Sequence, residues 1–255
     1  MLLVIDIGNT NIVIGLYQGD QLANHWRLQT NTRKTEDEYG VLMRQLFETG
    51  GSASQPIEGA ILASVVPPMQ SMFVSLIKRY FGVDPLVVGP GIKTGMPILY
   101  ENPREVGADR IVNAIAAFKR TNGPTIVVDF GTATTFDGIS EKGQYLGGAI
   151  CPGVTISADA LYQRASKLPR VDVAAPNEVI GRNTVASMQA GIVFGYVSLV
   201  DGMIARFAAE YGQPMQAIAT GGLGGLFEQH CDGIDAYDPD LTLAGLKILW
   251  ERNAG

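Results

Sequence analysis

The sequence predicts an α/β protein made of two similar halves, and three observations support this. Apolar strand-like segments alternate with amphipathic helical segments along the chain, which favours helices layered on sheets. A length of 255 residues suits one large domain or two small ones. One constant offset aligns two strand-turn-strand segments, and with them the following pairs: Asp6 with Asp129, Gly8 with Gly131, and Gln21 with Gln144. The halves predicted from this duplication are residues 1–122 and 123–255.

The first half is expected to alternate strands and helices. Strands are predicted at LLVIDIG, at NIVIGLYQ and QLANHWRL around a Gly19-Asp20 turn, at IEGAILASVVPP and at PLVVG. Helices are predicted at TEDEYGVLMRQLFETGG, MQSMFVSLIKRYFG and GADRIVNAIAAFKRTNG. Thr35 and Glu38 form a capping-box pattern at the start of the first helix. Pro67 and Pro68 are expected to stop the strand that precedes them.

The second half repeats the opening pattern and then becomes mainly helical. TIVVDFGTATTFDGISEKGQYLGGAI is expected to form the same strands and turns as the start of the chain. Helices are predicted at TISADALYQRASKLP, TVASMQAGIVFGYVSLVDGMIARFAAEYG and LTLAGLKILWERN, and MQAIATGGLGGLFEQH is expected to be a strand, a glycine-rich turn and a helix start. The long apolar helix carries small residues, including Ala186, Ala190 and Gly191, that permit close packing against another helix.

Composition and charge disfavour several classes of function. The net charge of −6 disfavours nucleic-acid binding, because a phosphate backbone requires a basic face and the Lys and Arg residues are scattered. No uninterrupted run approaches the ~20 apolar residues that cross a membrane, so no membrane partner is expected. Cys151 and Cys231 form no disulfide framework, which favours a reducing compartment. Since no leader-like segment opens the sequence, we expect a cytoplasmic protein.

The stretch DIGNTN follows a buried strand and is poorly suited to a core. Gly8 lets the backbone approach a ligand, and neighbouring N–H groups can point at phosphate oxygens. Asn9 and Thr10 add neutral donors, and Asp6 could hold Mg²⁺ directly or through water. A hairpin stabilised by Asx and Thr turns would use the same residues. DFGTAT, residues 129–134, repeats the design, and the pair favours a phosphate clamp.

Two further segments have both a structural and a functional interpretation. In GADR, Asp109 falls at the start of a helix, where an aspartate commonly caps the helix and contributes about 1 kcal/mol. Asp109 is also placed to accept a hydroxyl proton during phosphoryl transfer, and Arg110 could grip an anionic group. In ATGGLGG, residues 219–225, glycines let a flat ring or a ribose approach the backbone, although they equally suit a tight strand-to-helix turn.

Several catalytic motifs have no match in the sequence. It contains no G-x-x-x-x-G-K-[ST] loop, no G-x-G-x-x-G and no G-x-S-x-G. His25 and His230 are its two histidines, and their spacing is unlike that of zinc ligands. Cys151 is better explained as a small buried side chain than as a nucleophile. The chemistry is therefore expected to depend on the acidic and glycine-rich loops.

Four motifs in this order, D-x-G-N-T, G-A-D-R, D-F-G-T-A-T and T-G-G, resemble those of the type III pantothenate kinases, and the resemblance covers essentially the whole chain. It implies two ribonuclease-H-like domains around a central cleft, the fold of the actin-like ATPases, each with a mixed five-stranded sheet. It implies ATP-dependent phosphorylation of pantothenate to 4′-phosphopantothenate, the first step of coenzyme A biosynthesis. It also implies a homodimer, Mg²⁺ with ATP, and a monovalent cation, K⁺ or NH₄⁺.

The same resemblance implies a role for each motif residue. Asp109 would be the catalytic base, Asp129 would bind the monovalent cation, and Asp6 would contact Mg²⁺ indirectly. The residues expected at ATP and its phosphates are Asp6, Gly8, Asn9, Thr10, Asn11, Gly131, Thr132, Gly221 and Gly222. The residues expected at pantothenate are Tyr100, Gly107, Ala108, Arg110 and Thr184, the last from the neighbouring subunit. The long helix that follows is the candidate dimer interface.

Two alternative functions remain open from the sequence. A non-catalytic relative that acts as a transcriptional accessory protein should have lost an acidic motif residue or should carry a basic surface. Here Asp6, Asp109 and Asp129 are all present and the net charge is negative. Another phosphotransferase of the superfamily, such as a sugar or acetate kinase, would share the phosphate loops and differ in its acceptor.

Overall fold

The computed structural model describes residues 1–52 and 55–254, which fold into two compact units. The first unit comprises Met1–Gly95, Asn102–Ala116 and Thr242–Gly255, and the second comprises Met96–Glu101 and Ala117–Leu241. The C-terminal stretch therefore belongs with the N-terminal part of the chain. The boundary at residue 122 assigns that stretch to the second domain, and as a domain boundary it stays a prediction.

Strands and helices alternate along the chain as expected. The strands are β1 (Leu2–Ile7), β2 (Asn11–Gln18), β3 (Gln21–Gln29), β4 (Gly59–Ser64), β5 (Leu86–Val87), β6 (Thr125–Phe130), β7 (Ala133–Ile139), β8 (Tyr145–Pro152), β9 (Gln216–Thr220) and β10 (Ala236–Tyr237). The helices are α1 (Glu36–Thr49), α2 (Pro67–Phe81), α3 (Ala108–Thr121), α4 (Val154–Arg164), α5 (Thr184–Tyr211), α6 (Gly224–Glu228) and α7 (Leu241–Asn253). A short 3₁₀ turn, Pro103–Glu105, precedes α3.

Each unit contains a five-stranded mixed sheet, and the two sheets have the same topology. The strand order is β3-β2-β1-β4-β5 in the first unit and, read from the corresponding edge, β8-β7-β6-β9-β10 in the second. In both sheets the first three strands of the order pair antiparallel and the last two add in parallel. This match confirms the predicted α/β fold with an internal duplication.

Helix α1 begins with the capping box that the sequence predicts. The side chain of Thr35 accepts the N–H of Glu38 at 3.3 Å, while the Glu38 carboxylate accepts the N–H of Thr35 at 2.7 Å. Tyr39, Met43 and Phe47 recur every four residues and are buried against the first sheet and α2. The capping box explains why α1 begins after Thr35. The apolar stripe explains which face of the helix is buried.

The two prolines at the start of α2 act differently from the prediction. Strand β4 already ends at Ser64, and Pro67 and Pro68 are the first two residues of α2 rather than the stop of a strand. A proline suits the first helical turn because the N–H that it lacks has no intrahelical partner there. Ser64 makes the bend, since its hydroxyl oxygen accepts the N–H of Val66 at 3.0 Å.

Helix α5 runs for 28 residues and buries one side against the second sheet. Asn183 caps it, with its side-chain oxygen accepting the N–H of Ala186 at 2.9 Å. In its most apolar window only 22% of the residues are buried. By length and composition alone, α5 is the one helix in the described part of the chain that could cross a membrane, and a single such helix is weak evidence of a span. Its open apolar side equally suits a partner helix.

Candidate active site

The first phosphate loop joins β1 to β2. Gly8 donates its N–H to the carbonyl oxygen of Asn11 at 2.9 Å, which closes a tight turn. Asn9 and Thr10 form the exposed tip of this turn, and Asp6 is half-buried in the strand before it. The loop therefore presents short polar side chains beside a carboxylate, as a phosphate-binding loop requires.

Thr30, which lies just after β3, holds the first phosphate loop in place. Its hydroxyl donates to the carbonyl oxygen of Gly8 at 2.7 Å, and its N–H donates to the carbonyl oxygen of Thr10 at 2.9 Å. No sequence motif singled out Thr30. It follows Gln29, which pairs with Asn11 between β2 and β3, and this register places Thr30 opposite the turn in the folded sheet.

The second phosphate loop joins β6 to β7 at the corresponding corner of the second sheet. Gly131 donates its N–H to the carbonyl oxygen of Ala133 at 3.1 Å, and Gly131 and Thr132 are exposed. Asp129 is half-buried in β6, as Asp6 is in β1. The glycine N–H closes the turn in both loops, but Gly131 bonds the residue two positions on and Gly8 the residue three positions on, so the second turn is one residue tighter.

Gly153, at the start of α4, lies directly behind the second phosphate loop. A Cβ at this position would lie 2.1 Å from the carbonyl oxygen of Thr132 and 2.8 Å from that of Gly131. Both atoms are backbone, so any larger residue would displace the loop. The sequence analysis did not single out Gly153, because this contact is between segments that are distant in sequence.

The glycine turn, residues 221–225, lies against the second phosphate loop within the second unit. Gly221 has φ of +87°, and a Cβ there would lie 2.5 Å from the Asp129 carboxylate and 2.7 Å from the carbonyl oxygen of Phe130. The structure thus brings together two of the predicted residues, Gly221 and Asp129. Gly222 is exposed beside them.

Tyr237, in β10, fixes the shape of the glycine turn. Its hydroxyl donates to the carbonyl oxygen of Gly221 at 3.1 Å. Its ring lies so close to Gly224 and Gly225 that a Cβ on either would be 2.5 Å and 3.2 Å, respectively, from a ring carbon. Tyr237 was not predicted as a site residue, and β10 was not predicted as a strand.

Asp109 is the second residue of α3, so it lies inside the first turn and is not the helix cap. Its Oδ1 atom accepts the N–H of Arg110 at 2.8 Å. Gly107 makes room for the carboxylate, since a Cβ on Gly107 would lie 2.5 Å from Oδ1. The carboxylate is therefore held at a helix N-terminus, where a negative charge is stabilised.

The residues around Asp109 are largely buried. Arg110 has 9% of its surface exposed, and Asn113 has 1%. Asn113 is fixed through its side-chain oxygen, which accepts the hydroxyl of Thr242 at 2.7 Å. Ala108 and Gly107 are half-buried. This tight packing gives the GADR segment a defined conformation in the first unit.

Tyr100 and Thr184 belong to the second unit. The Tyr100 ring lies 6.5 Å from the ring of Tyr145, measured between centroids. Thr184 is exposed at the start of α5 and lines a cavity of about 820 Å³ together with Ser187 and Tyr196. The predicted pantothenate residues are therefore divided, with Gly107, Ala108 and Arg110 in the first unit.

Metal and thiol chemistry is limited among the described residues. They contain no cluster of three or more His, Cys, Asp or Glu side chains that could hold a metal ion. Mg²⁺ in kinases is held largely by nucleotide phosphates and one or two carboxylates, so the single carboxylate of Asp6 fits that role. Burial, with smaller contributions from Asp201 and Asp232, raises the pKa of the Cys231 thiol to about 12, so this thiol is unsuited to act as a nucleophile.

Two solved structures share the fold of this chain at low sequence identity. An ethanolamine utilization protein EutJ from Carboxydothermus hydrogenoformans aligns with a TM-score of 0.58 and 16% identity, over 97% of this chain and 89% of that one. A ROK hexokinase from Thermus thermophilus aligns with a TM-score of 0.51 and 13% identity, over 97% of each chain. The fold is the two-domain α/β fold of the actin-like ATPases and sugar kinases.

Sequence comparison is more specific. The family profile described as type III pantothenate kinase matches residues 2–206. A type III pantothenate kinase of Myxococcus xanthus is 57% identical over 253 residues, which cover 99% of both chains. One of Moorella thermoacetica is 56% identical over 253 residues, 99% of this chain and 100% of that one. Since the profile and these full-length relatives agree, the chain belongs to the type III pantothenate kinase family.

Proposed function

We propose that the protein transfers the γ-phosphoryl group of ATP to the hydroxyl group of pantothenate, giving ADP and 4′-phosphopantothenate. This is the first step of coenzyme A biosynthesis. The observation that carries the proposal is family membership over the whole chain. The two matched phosphate loops and the carboxylate at the start of α3 supply the groups that such a reaction needs.

Asp109 is proposed as the base that accepts the proton of the pantothenate hydroxyl. Phosphoryl transfer passes through a loose transition state, in which the position of the base contributes more than its basicity. The N–H of Arg110 and the space left by Gly107 provide this positioning.

The first phosphate loop and the second phosphate loop are proposed to hold ATP. Backbone N–H groups and the short side chains of Asn9, Thr10, Asn11 and Thr132 can donate to phosphate oxygens, and Gly8 and Gly131 let the backbone come close. Phosphoryl transfer from ATP in such kinases requires a divalent metal, which we propose is Mg²⁺ near Asp6. Held there, Mg²⁺ would supply positive charge that offsets the charge of the ATP phosphates. Gly221 and Gly222 are proposed to contact the adenosine.

Asp129 is proposed to bind K⁺ or NH₄⁺. Its Oδ1 atom and the carbonyl oxygen of Phe130 would lie 2.5 Å and 2.7 Å from a Cβ on Gly221, so the two oxygens are near each other beside the glycine turn. Oxygens of these two kinds are the ligands that hard cations prefer.

Replacing K⁺ by Na⁺ is expected to lower kcat/KM for ATP by about tenfold, equivalent to 1.4 kcal/mol in the barrier. The smaller ion fits a site built for K⁺ less well. ADP release would be measured at constant ionic strength and Mg²⁺, so that screening stays fixed. Asp129→Asn should lose the distinction between the two ions. Equal rates in K⁺ and Na⁺ for the unmodified protein would contradict the assignment of Asp129.

Pantothenate is a small anion with a hydroxyl group at its other end. Arg110 and the N-terminus of α3 are suited to an anionic group, and Tyr100 offers an aromatic wall for the aliphatic part. Gly107 and Ala108 would let the substrate approach the backbone. Thr184 is proposed to reach the pantothenate site of the neighbouring subunit.

A second copy of the chain is proposed to cover the apolar surface at the start of α5. Exposed side chains near the cavity that Thr184 lines are Ile156, Leu161, Tyr162, Val179, Ile180 and Val185. Soluble monomers rarely expose large contiguous apolar patches, and cyclic homodimers are the commonest way to cover one. The net charge of −6 gives no reason to invoke nucleic acid. The free cysteines and the substrates favour a cytoplasmic location.

Light scattering of the unmodified protein is expected to give twice the chain mass of 27.2 kDa. The double variant Ile180→Asp with Val185→Asp should shift the protein toward one chain mass, because it places charges in the proposed interface. Val41→Asp, on the exposed face of α1, is the matched control and should leave the mass unchanged. A monomeric unmodified protein would contradict the proposal.

The experiment that tests the proposed function is ADP release with ATP, Mg²⁺ and K⁺ across a panel of acceptors. Pantothenate should support turnover, whereas a hexose, acetate and glycerol should not. Turnover with a sugar or acetate but not with pantothenate would favour another kinase of the superfamily. Absence of turnover with every acceptor would favour the non-catalytic alternative.

A further inference from the structure

Asp137, in β7, is a fully buried carboxylate that no step of the proposed reaction uses. The hydroxyl of Tyr145 donates to its Oδ1 atom at 2.6 Å, and Tyr145 is also fully buried. The hydroxyl of Thr135 lies 3.4 Å from Oδ2. Burying a carboxylate is costly unless it is hydrogen-bonded, and bonds to an ionised acceptor are short and strong. Burial of the Asp137–Tyr145 pair therefore carries a desolvation cost that requires an explanation.

The main chain of Tyr145 holds a second segment of the same unit. Its N–H donates to the carbonyl oxygen of Pro97 at 2.9 Å, and its carbonyl oxygen accepts the N–H of Leu99 at 2.8 Å. Ile98 thus forms a parallel bridge to Tyr145. The register between β7 and β8 shifts at Gly138 and Ile139, next to this point, and such bulges commonly redirect a strand near functional sites.

Tyr100 follows this bridged segment directly. Its ring is tilted by 52° to the ring of Tyr145. It also lies over Gly147, where a Cβ would be 3.7 Å from its Cδ2 atom. Gly147 has a φ of +125°, a backbone conformation that residues with a side chain rarely adopt. The ring of Tyr100 is therefore positioned by the ring of Tyr145 and by Gly147 of β8, which has no side chain.

We propose that the Asp137–Tyr145 pair is a positioning element for pantothenate, which fixes residues 97–99 and thereby the ring of Tyr100 against the substrate. This rests on the proposed function, in which Tyr100 contacts pantothenate. The carboxylate fixes the Tyr145 hydroxyl, the Tyr145 backbone fixes the bridged segment, and that segment fixes Tyr100. Two apolar side chains would fill the same space, but the ring at position 145 would then have no hydrogen bond to fix its orientation.

Tyr145→Phe removes the hydroxyl and keeps the ring and the backbone bridge. It is expected to raise the KM for pantothenate by about tenfold, the typical effect of losing a buried hydrogen bond to a charged group, while kcat and the KM for ATP change little. Tyr80→Phe is the matched control, because the hydroxyl of Tyr80 also donates to a carboxylate, that of Asp37, in the first unit. It should leave both KM values unchanged.

A double-mutant cycle with Tyr100→Leu separates positioning from general damage. If Asp137 and Tyr145 act through Tyr100, Tyr145→Phe should have no further effect on the KM for pantothenate once Tyr100 is replaced. Asp137→Asn keeps an acceptor oxygen for the Tyr145 hydroxyl and should give a smaller increase in that KM. If Tyr145→Phe fails to fold, the KM for pantothenate of Asp137→Asn tests the positioning role instead.

The outcomes distinguish this inference from the proposed function. Additive effects in the cycle, or equal increases in the KM for ATP and pantothenate, would overturn the positioning role and leave the proposed function intact. An unchanged KM for pantothenate in Tyr100→Leu would overturn the substrate contact and this inference with it. Absence of pantothenate-dependent turnover in the unmodified protein would overturn both the proposed function and the inference.

Discussion

Asp109→Asn is expected to lower kcat by roughly 10²–10⁴-fold, the usual contribution of a positioned general base. The amide has nearly the same shape and can still accept the N–H of Arg110, so the start of α3 should keep its structure. What it loses is the ability to accept the pantothenate proton. ADP release with saturating ATP and pantothenate would measure the loss.

Nucleotide titration of the same variant separates chemistry from binding. The affinity for ATP should change little, because the proposed phosphate contacts come from the two phosphate loops. Asp84→Asn is the matched control, since the side chain of Asp84 is 82% exposed and belongs to the same unit. Near-normal turnover in Asp109→Asn would reject Asp109 as the base and would leave Asp109 as a residue of the helix terminus only.

Gly221→Ala is expected to weaken ATP use strongly. A left-handed backbone costs a non-glycine residue about 1–2 kcal/mol. The added Cβ would also lie 2.5 Å from the Asp129 carboxylate and 2.7 Å from the backbone of Phe130. One of these groups must move, so we expect the KM for ATP to rise by about tenfold or more and the K⁺ dependence to weaken.

Gly212→Ala isolates the conformational part of that effect. Gly212 ends α5 with the same φ of +87°, but a Cβ there would meet nothing within 4 Å. Urea unfolding of Gly212→Ala should therefore show the backbone cost alone, whereas Gly221→Ala should lose more stability because of the clash, and only Gly221→Ala should change the KM for ATP. Similar kinetics in the two variants would contradict a functional contact between the glycine turn and Asp129.

Local patterns in the sequence predicted the local features of the structure. The capping box at Thr35 and Glu38 is confirmed, and α3 ends near Asn122, which has the left-handed φ of 50° expected of a residue that follows a helix. The repeat around Asp6 and Asp129 predicted two sheets of the same topology. These features depend on residues that are close in sequence, so spacing alone reveals them.

Features that depend on distant contacts were not predicted. Thr30 fixes the first phosphate loop, Gly153 supports the second phosphate loop, and Tyr237 shapes the glycine turn. Each of these residues contacts a segment that is distant from it in sequence and is brought close only by folding. The placement of α7 in the first unit also depends on a contact between distant parts of the sequence. Gly245 packs on the backbone of Val112, and a Cβ on Gly245 would lie 2.2 Å from the Val112 carbonyl oxygen.

The roles assigned to individual site residues differ in how much local geometry supports them. Gly221 and Asp129 lie together within one unit, and both phosphate loops are closed by a hydrogen bond from the glycine N–H. Arg110 is nearly buried rather than an exposed solvated arginine, which favours a specific interaction. The function of Thr184 depends on a second subunit and is tested by the mass measurement and its interface variants.

Identification of the product would test the proposed reaction directly. The purified protein would be incubated with ATP, Mg²⁺, K⁺ and pantothenate, and the small molecules would be analysed by mass spectrometry and phosphorus NMR. We expect pantothenate with one added phosphoryl group on its 4′-hydroxyl, formed in equal amount with ADP. ADP formed without phosphorylated pantothenate, or no ADP at all, would contradict it.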